Sequence, residues 1–235
     1  MTRPPDVAVP SELRDFESLY RAGAEPWTYS ERAVETLRHE KVAAIVRALA
    51  PRRALDLGCS LGQLTAQLAE LPTELHAADL SPTAVRRARE RLTTPAFACG
   101  SATALPYAPE SFDVVVASDG LYSWHLRPAE RATALGEIHD VLALGGHAVL
   151  TEHMRPARFA EFLAEVRASP LRVVDVHYFH DRPCYQLEGW LKAVRHWRAA
   201  RALRRSRGVA RALCALGRPF GAAGSRHVCV IARRS

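Results

Sequence analysis

The pattern of apolar and polar positions divides the chain into short apolar runs that alternate with longer segments of helical periodicity. Short apolar runs bounded by turn residues indicate strands, and apolar residues spaced three or four apart indicate helices. The runs predict strands over 54–57, 74–78, 96–99, 112–117, 147–151, 171–179 and 228–232. The helical segments cover 11–22, 30–50, 82–92, 128–142 and 158–168, and a further helix begins near residue 61. Alternation of strand and helix predicts an α/β protein with a doubly wound parallel sheet.

Capping residues set several of these boundaries. Ser30 is predicted as the N-cap of the second helix, which Pro51 ends. Ser81 and Pro82 are predicted as the N-cap and first residue of the helix after the second strand. The pair Gly145-Gly146 is predicted to end the helix that begins at residue 128.

Composition bounds the class of protein. The chain has 235 residues, of which 48% are hydrophobic, so we expect one domain with a substantial core. No apolar stretch reaches the ~20 residues that a membrane-spanning helix needs, and the first ten residues lack the apolar core of a signal peptide. The five cysteines are scattered and odd in number, which indicates free thiols and a cytoplasmic location.

Small or acidic residues follow the predicted strands at the edge where ligands bind in doubly wound sheets. Asp56 and a loop from Gly58 to Gly62 follow the first strand, and Asp79 ends the second. An acid about 20 residues after such a loop can accept hydrogen bonds from ribose hydroxyls. Ser60 stands where dinucleotide-binding loops have their middle glycine, which argues against a nicotinamide cofactor.

Four segments occur in the order typical of one enzyme family. They read Leu-Asp-Leu-Gly-Cys-Ser-Leu-Gly, Ala-Asp-Leu-Ser-Pro, Leu-Pro-Tyr-Ala-Pro-Glu-Ser-Phe-Asp-Val-Val and Leu-Ala-Leu-Gly-Gly-His-Ala-Val-Leu. With them, the stretch from about Arg53 to Glu152 resembles class I S-adenosylmethionine-dependent methyltransferases. The Gly-Cys-Ser-Leu-Gly-Gln-Leu-Thr variant, preceded by Glu25-Pro26-Trp27, resembles the narrower group of nodulation N-methyltransferases and related small-molecule enzymes.

The resemblance implies a Rossmann-like doubly wound sheet of about seven strands, with the last strand antiparallel and a helical basic insertion before it. It implies S-adenosylmethionine as cofactor. The cofactor-binding residues that it implies are Trp27, Asp56, Gly58, Cys59, Gly62, Asp79, Leu80, Ser101, Ala102 and Asp119. The family usually has an acid at the position of Ser101, which accepts from the adenine amino group, and the shorter neutral serine departs from that pattern.

Methyl transfer requires alignment of the acceptor and, for a protonated nucleophile, a base. His153 after the fifth strand is the favoured base, and Asp119, Tyr122 and His125 after the fourth strand are the other catalytic candidates. We predict no metal site, because no ligand spacing supports one and the asparagine ligand of catechol-type relatives is absent from this chain. The Asp/Asn-Pro-Pro-aromatic motif of enzymes that methylate exocyclic amines of DNA bases is also absent after the fourth strand.

Arginines dominate the segment before the last strand, in a chain of net charge +7. Leu187, Trp190, Leu191, Val194 and Trp197 would share one helical face. The segment is interpreted as a lid over the acceptor, with Trp190 and Trp197 toward the pocket or core; an RNA-binding surface and a membrane contact are the alternatives.

We therefore predict a single domain, 1–235. It comprises a helical cap (1–50), a cofactor-binding core (51–152) and a substrate-side half (153–235) that contains the basic insertion at 184–225. The predicted function is S-adenosylmethionine-dependent methylation of a small metabolite in biosynthesis, at an amine in preference to a hydroxyl. The alternatives are an RNA methyltransferase that uses the Arg-rich 190–218 segment, and a non-catalytic cofactor-binding module.

Overall fold

The computed structural model describes residues 11–23, 25–71, 73–121, 126–194 and 196–235. Seven strands form one sheet in the order β3-β2-β1-β4-β5-β7-β6. Their bounds are β1 Arg53–Leu57, β2 Glu74–Asp79, β3 Ala96–Cys99, β4 Phe112–Ser118, β5 Leu142–His153, β6 Arg172–Tyr178 and β7 His227–Arg233. Strand β7 lies between β5 and β6 and is antiparallel to both, while the other pairs are parallel. The predicted Rossmann-like fold with an antiparallel last strand is confirmed.

Helices flank this sheet on both faces. Their bounds are α1 Ser11–Ala22, α2 Ala33–Leu49, α3 Gln63–Leu68, α4 Pro82–Arg91, α5 Pro128–Val141, α6 Phe159–Ala168, α7 Arg182–Trp190, α8 Arg198–Arg205 and α9 Arg207–Gly217. Among the described residues, no helix has the length and apolar character needed to cross a bilayer.

Strand β4 carries apolar side chains on both faces of the sheet, and helices cover both faces. Val115 packs into the core with helices α5 and α6, whereas Val114 and Val116 pack on the opposite face with α2 and α3. A strand that is covered on both faces reads as a continuous apolar run, which is the pattern of Phe112–Ser118. The central strands are thereby held rigidly, and their carboxyl ends lie at one edge of the sheet.

Two predicted boundaries were wrong. Helix α5 ends at Val141, and Gly145 and Gly146 lie inside the long strand β5. Gly145 has a φ of 79°, and a Cβ on Gly146 would lie 3.0 Å from the carbonyl oxygen of Asp113, so both glycines serve an irregular strand. At the other boundary, Ser30 belongs to a 3-10 turn and donates its hydroxyl to Glu25, while α2 begins at Ala33.

The described residues of the basic insertion include helices α7, α8 and α9. Helices α7 and α9 pack on α2 through Cys184 and Ala210, beside Ala33 and Leu37. The single apolar helical face predicted across this segment is wrong, because a 3-10 turn over Leu191–Val194 follows α7.

Trp190 and Trp197 are 79% and 57% exposed. They do not face the pocket or the core, so the predicted lid with both tryptophans turned inward is also wrong.

Candidate active site

A cavity of about 890 Å³ lies at the carboxyl ends of the central strands. Pockets for small molecules typically enclose roughly 300–1,000 Å³, so this one is large enough for a nucleoside cofactor together with an acceptor. The predicted residues that line it are Trp27, Asp56, Gly58, Cys59, Asp79, Leu80, Ser101, Ala102, Asp119 and His153. Gly62 is not among the lining residues, and Tyr122 and His125 lie outside the described residues.

The loop after β1 turns sharply because two of its glycines adopt positive φ. Gly58 has a φ of 79°, and a Cβ there would meet no atom within 4 Å. The N–H groups of Gly58 and Cys59 both donate to the carbonyl of Ala78, at 2.8 and 3.0 Å, and so are not available to a ligand. Gly62 has a φ of 81°, and its missing Cβ lets Leu92 approach, at 3.0 Å from where that atom would stand. Gly62 therefore allows the loop to pack closely against Leu92 and is not itself part of the cavity lining.

Two buried carboxyl groups stand beside this loop. Asp56 accepts the hydroxyl of Thr65 at 2.6 Å, and burial raises the pKa of Asp56 to about 6. Asp79 accepts from the backbone N–H groups of Ser60 at 2.8 Å and Ser81 at 2.9 Å. Burial raises the pKa of Asp79, although these N–H groups oppose the shift. Each oxygen of Asp79 keeps further accepting capacity, so the carboxyl group can hold a ligand hydroxyl while it orders the loop.

The N-terminal part of the chain closes one side of the cavity through a chain of hydrogen bonds. Trp27 donates its Nε1 proton to the hydroxyl of Tyr20 at 3.2 Å, and Tyr20 donates to Oγ of Ser60 at 2.7 Å. Tyr20 is buried and packs with Leu61. The serine that replaces the dinucleotide glycine therefore connects the cap to the loop, a contact that the sequence did not indicate.

Ser101 has a local role in the turn that follows β3. Its hydroxyl pairs with that of Thr103 at 2.8 Å and accepts from the Thr103 backbone N–H at 3.1 Å. Ser101 and Ala102 line the cavity, as does Leu80.

The acceptor half is built around one buried guanidinium group. Arg38 of α2 is 2% exposed and contacts Glu35 at 2.9 Å and Asp119 at 3.1 Å. It also donates to the hydroxyl of Ser118 at 2.5 Å. Burial alone would raise the pKa of Glu35, but Arg38, His227, Arg32 and the Tyr185 hydroxyl together outweigh it and hold that pKa well below its usual range. Helix α2 therefore anchors the end of β4 through charge.

His227, the first residue of β7, joins one more acid, Asp181, to this group. Its Nε2 lies 3.3 Å from Asp119 and its Nδ1 lies 2.5 Å from Asp181. Burial would lower the pKa of His227, but the two carboxylates outweigh that cost and raise it to about 9. At neutral pH the imidazole is therefore charged, and it holds Asp119 in place rather than accepting a proton.

Asp119 itself is strained and incompletely paired. Its φ is 57°, a left-handed conformation that costs a non-glycine residue about 1 kcal/mol or more. Its Oδ1 is shielded from solvent and has no hydrogen-bond partner in the described part of the chain. Burial would raise the pKa of Asp119, but Arg38 and His227 together lower it. The result is a fixed carboxylate in the wall of the cavity.

His153 also lines the cavity. It is exposed to the cavity, and its ring centroid lies 4.8 Å from those of Tyr185 and His227. Partial desolvation and the positive charge of His227 lower its pKa to about 4. His153 is therefore neutral at pH 7 and able to accept a proton.

One set of possible metal ligands occurs in the described residues. Atoms of Glu35, Asp119 and His227 lie within 4.8 Å of one another. Arg38 already contacts both carboxylates, and His227 is engaged at both nitrogens. A metal cation would have to displace this guanidinium group, so the donors suit a charge network better than a metal.

Several residues of this network were not singled out from the sequence. They are Glu35, Arg38, Asp181, Tyr185 and His227. One signal was present, since Glu35 and Arg38 fall among the apolar positions of the buried face of α2. Charged residues on such a face require partners from elsewhere in the fold. Nothing local in the sequence identified His227 or Asp181 as those partners.

Comparison with known proteins places the cofactor half in a family. Residues 55–150 match a family model described as a methyltransferase domain. A malonyl-[acyl-carrier protein] O-methyltransferase from Halorhodospira halophila is 34% identical over 62% of this chain and 53% of its own length. Nodulation protein S from Rhizobium tropici is 32% identical over 54% of this chain and 55% of its own length. The chain thus spans about half the length of these curated relatives.

A solved structure extends the likeness of fold to almost the whole chain. N-methyltransferase NodS from Bradyrhizobium japonicum, in complex with S-adenosylhomocysteine, superposes with a TM-score of 0.63 and 19% identity. The match covers 95% of this chain and 98% of that one.

The residues present fit S-adenosylmethionine. Open space borders Gly58, the carboxyl group of Asp79 faces the same cavity, and Oδ1 of Asp119 is a buried acceptor without a partner among the described residues. Residues 55–150 therefore form a class I S-adenosylmethionine-dependent methyltransferase domain, its cofactor is S-adenosylmethionine, and the chain resembles the nodulation protein S group.

Proposed function

We propose that this protein transfers a methyl group from S-adenosylmethionine to a small metabolite, at an amine nitrogen in preference to a hydroxyl. The bound cofactor supplies the electrophilic methyl group. Asp79 would bind the ribose hydroxyls, and Leu80, Ser101 and Ala102 would pack around the adenine. Asp56 and the backbone of Gly58 and Cys59 would border the methionine end by contact, since the N–H groups of both loop residues already donate to Ala78. Trp27 would close over the cofactor from the N-terminal side.

The preference for an amine rests on Asp119. Nitrogen gains positive charge as it is methylated, and a fixed carboxylate stabilises that charge without reorganising. A hydroxyl acceptor must instead lose its proton to become a strong nucleophile, and the alkoxide formed would be repelled by the same carboxylate. Since Arg38 and His227 hold Asp119 ionised, the cavity favours the nitrogen.

The boundaries predicted from the sequence fit this division of labour. Residues 1–50 supply Tyr20, Trp27 and Arg38 as a cap, and 51–152 supply the cofactor half. Residues 153–235 supply the acceptor side, including His153 and, from the basic insertion, Tyr185. We assign the three regions on this basis and place the protein in the cytoplasm, in keeping with its free cysteines.

We expect S-adenosylmethionine and S-adenosylhomocysteine to bind one site per chain in calorimetry. Methyl transfer from labelled S-adenosylmethionine should then occur into a metabolite extract and not into added RNA. Absence of cofactor binding would contradict the function as a whole. Binding without transfer to either acceptor would support the non-catalytic module, and transfer to RNA would support the RNA methyltransferase.

Replacement of His153 by alanine should lower kcat by about a hundredfold, because general base catalysis contributes roughly 10²–10⁴-fold. Cofactor affinity should be unchanged. The wild-type rate should fall with decreasing pH as His153 gains its proton near pH 4. His177→Ala is the matched control, since that histidine lies on β6 beside Asp175 and outside the cavity lining. Full turnover of the His153 variant would remove this residue from the chemistry.

A further inference from the structure

Two arginines on the acceptor side of the cavity flank His153. Arg155 lies just after β5, and Arg226 lies just before β7. The two strands are paired up to His153 and His227, and the backbone N–H of Met154 then donates to the carbonyl of Arg226 at 2.8 Å. Arg155 and Arg226 therefore leave the sheet side by side, and both line the cavity that Asp119 borders.

The other arginines that line the cavity are matched with acids. Arg32 contacts Glu188 at 2.7 Å and Glu35 at 2.8 Å. Arg38 contacts Glu35 and Asp119, and Arg158 contacts Glu161 at 2.9 Å. In these pairs the positive charge is neutralised within the protein.

Arg155 and Arg226 have no such partner. Neither forms an ion pair with an acid in the described parts of the chain. Arg226 is half-buried, and its Nε is shielded from solvent without a hydrogen-bond acceptor. A buried donor left unpaired costs about 1–3 kcal/mol, and more when the group is charged. The terminal nitrogens of Arg226 likewise have no partner among the described residues, and the side chain lines the cavity, so its guanidinium group is available to a ligand there.

The acids near this place are already engaged. Asp181 accepts from the backbone N–H of Arg226 at 2.7 Å and from His227. Glu152 accepts from the backbone N–H of Leu121 at 2.8 Å. The charge that remains on Arg155 and Arg226 is therefore positive, and both side chains line the cavity that Asp119 also lines.

We propose that Arg226 and Arg155 bind an anionic group, a carboxylate or a phosphate, on the methyl acceptor. The inference rests on the proposed function and names the substrate class of the same cavity. The acceptor is then a small molecule that carries an amine at one end, near Asp119 and His153, and an anion at the other. Guanidinium groups suit this role because they present paired donors that match the oxygens of carboxylates and phosphates.

Inorganic phosphate and acetate are the probes. Calorimetry at constant ionic strength would measure their binding to the full chain, both alone and saturated with S-adenosylhomocysteine. We expect dissociation constants on the order of millimolar, at one site per chain. Arg226→Ala and Arg155→Ala should each weaken binding of the preferred probe about tenfold. Arg226→Lys should recover part of the loss, since lysine keeps the charge without the paired donors.

Arg211→Ala is the matched control, because Arg211 lies on the exposed side of α9 and outside the cavity lining. It removes one positive charge and should leave probe binding unchanged. Tighter binding of phosphate than acetate would indicate a phosphorylated acceptor, and the reverse would indicate a carboxylate.

A second readout uses matched acceptors: glycine against glycinamide, and phosphoethanolamine against ethanolamine. Within at least one pair, the anionic member should be methylated more efficiently, and Arg226→Ala should reduce that preference by raising its KM.

Three results would overturn the anion site. They are absence of probe binding, equal weakening by Arg211→Ala, and preference for the neutral member of both pairs. If S-adenosylhomocysteine fails to bind while phosphate binds through Arg226, the proposed function fails and the anion site stands. If S-adenosylhomocysteine binds and both probes fail, the function stands and the anion site fails.

Discussion

Replacement of Arg38 by methionine should lower the free energy of unfolding by about 3–5 kcal/mol, which is the usual cost of removing one partner from a buried ion pair. Arg38 is the cation that Glu35 and Asp119 share, and all three meet under the acceptor half of the cavity. Without it, Glu35 keeps Arg32 at 2.8 Å and Asp119 keeps His227 at 3.3 Å. Glu35 loses its fully buried cationic partner, and Asp119 loses its nearest one. Urea unfolding followed by circular dichroism measures the change.

Arg53→Met is the control for the loss of an arginine. Arg53 contacts Glu74 at 3.4 Å with both side chains largely exposed, and such a pair contributes roughly 0–1 kcal/mol. The double variant Glu35→Gln with Arg38→Met should recover part of the stability, because it removes one of the stranded charges. If Arg38→Met unfolds within 1 kcal/mol of the wild type, the guanidinium group does not hold the network together.

Replacement of Asp79 by alanine should weaken binding of S-adenosylhomocysteine by about ten- to a hundredfold. Hydrogen bonds to a charged group contribute roughly 1.5–3 kcal/mol, and each 1.4 kcal/mol is a factor of ten in affinity. The variant removes the proposed acceptor of the ribose hydroxyls and also releases the backbone of Ser60 and Ser81. Calorimetry with S-adenosylhomocysteine measures the loss of affinity.

Asp113 offers a closely matched control at the other end of the sheet. Its carboxyl group also accepts two backbone N–H groups, from Arg52 and Arg53, both at 2.9 Å. Asp113→Ala therefore removes the same kind of backbone support without touching the cavity, and affinity should stay at the wild-type value. Unaltered affinity in the Asp79 variant would exclude the ribose contact. An equal loss in both variants would show that general loosening, and not the ligand contact, weakens binding.

The features that the sequence predicted well are encoded locally. The tight loop at Gly58 depends on neighbouring residues, and Ser81 caps α4 at the predicted position by accepting from the backbone N–H of Ala84 at 3.1 Å. The β4 strand, buried on both faces, was equally clear because a continuous apolar run has few other uses. The cofactor half was recognisable because its motifs each lie within a few residues of a strand end.

Local rules failed where a distant segment decides the outcome. Gly145 and Gly146 resemble a helix end, but pairing with β4 and β7 draws the chain into β5 as soon as α5 ends. Trp190 and Trp197 had the spacing of one helical face, but a 3-10 turn follows Trp190 and both tryptophans point to solvent. For the two glycines, strand pairing outweighed the local pattern. For the two tryptophans, the local pattern did not lead to burial against the core.

The sequence alone was sufficient for the fold class and the methyl donor, because both depend on periodicity and on short motifs. The acceptor half depended on tertiary structure. Only the insertion of β7 between β5 and β6 brings His227 to Asp119 and Arg226 beside Arg155. Charges buried far apart in sequence have no local signature, because the free energy that determines their roles comes from partners that only the folded chain brings together.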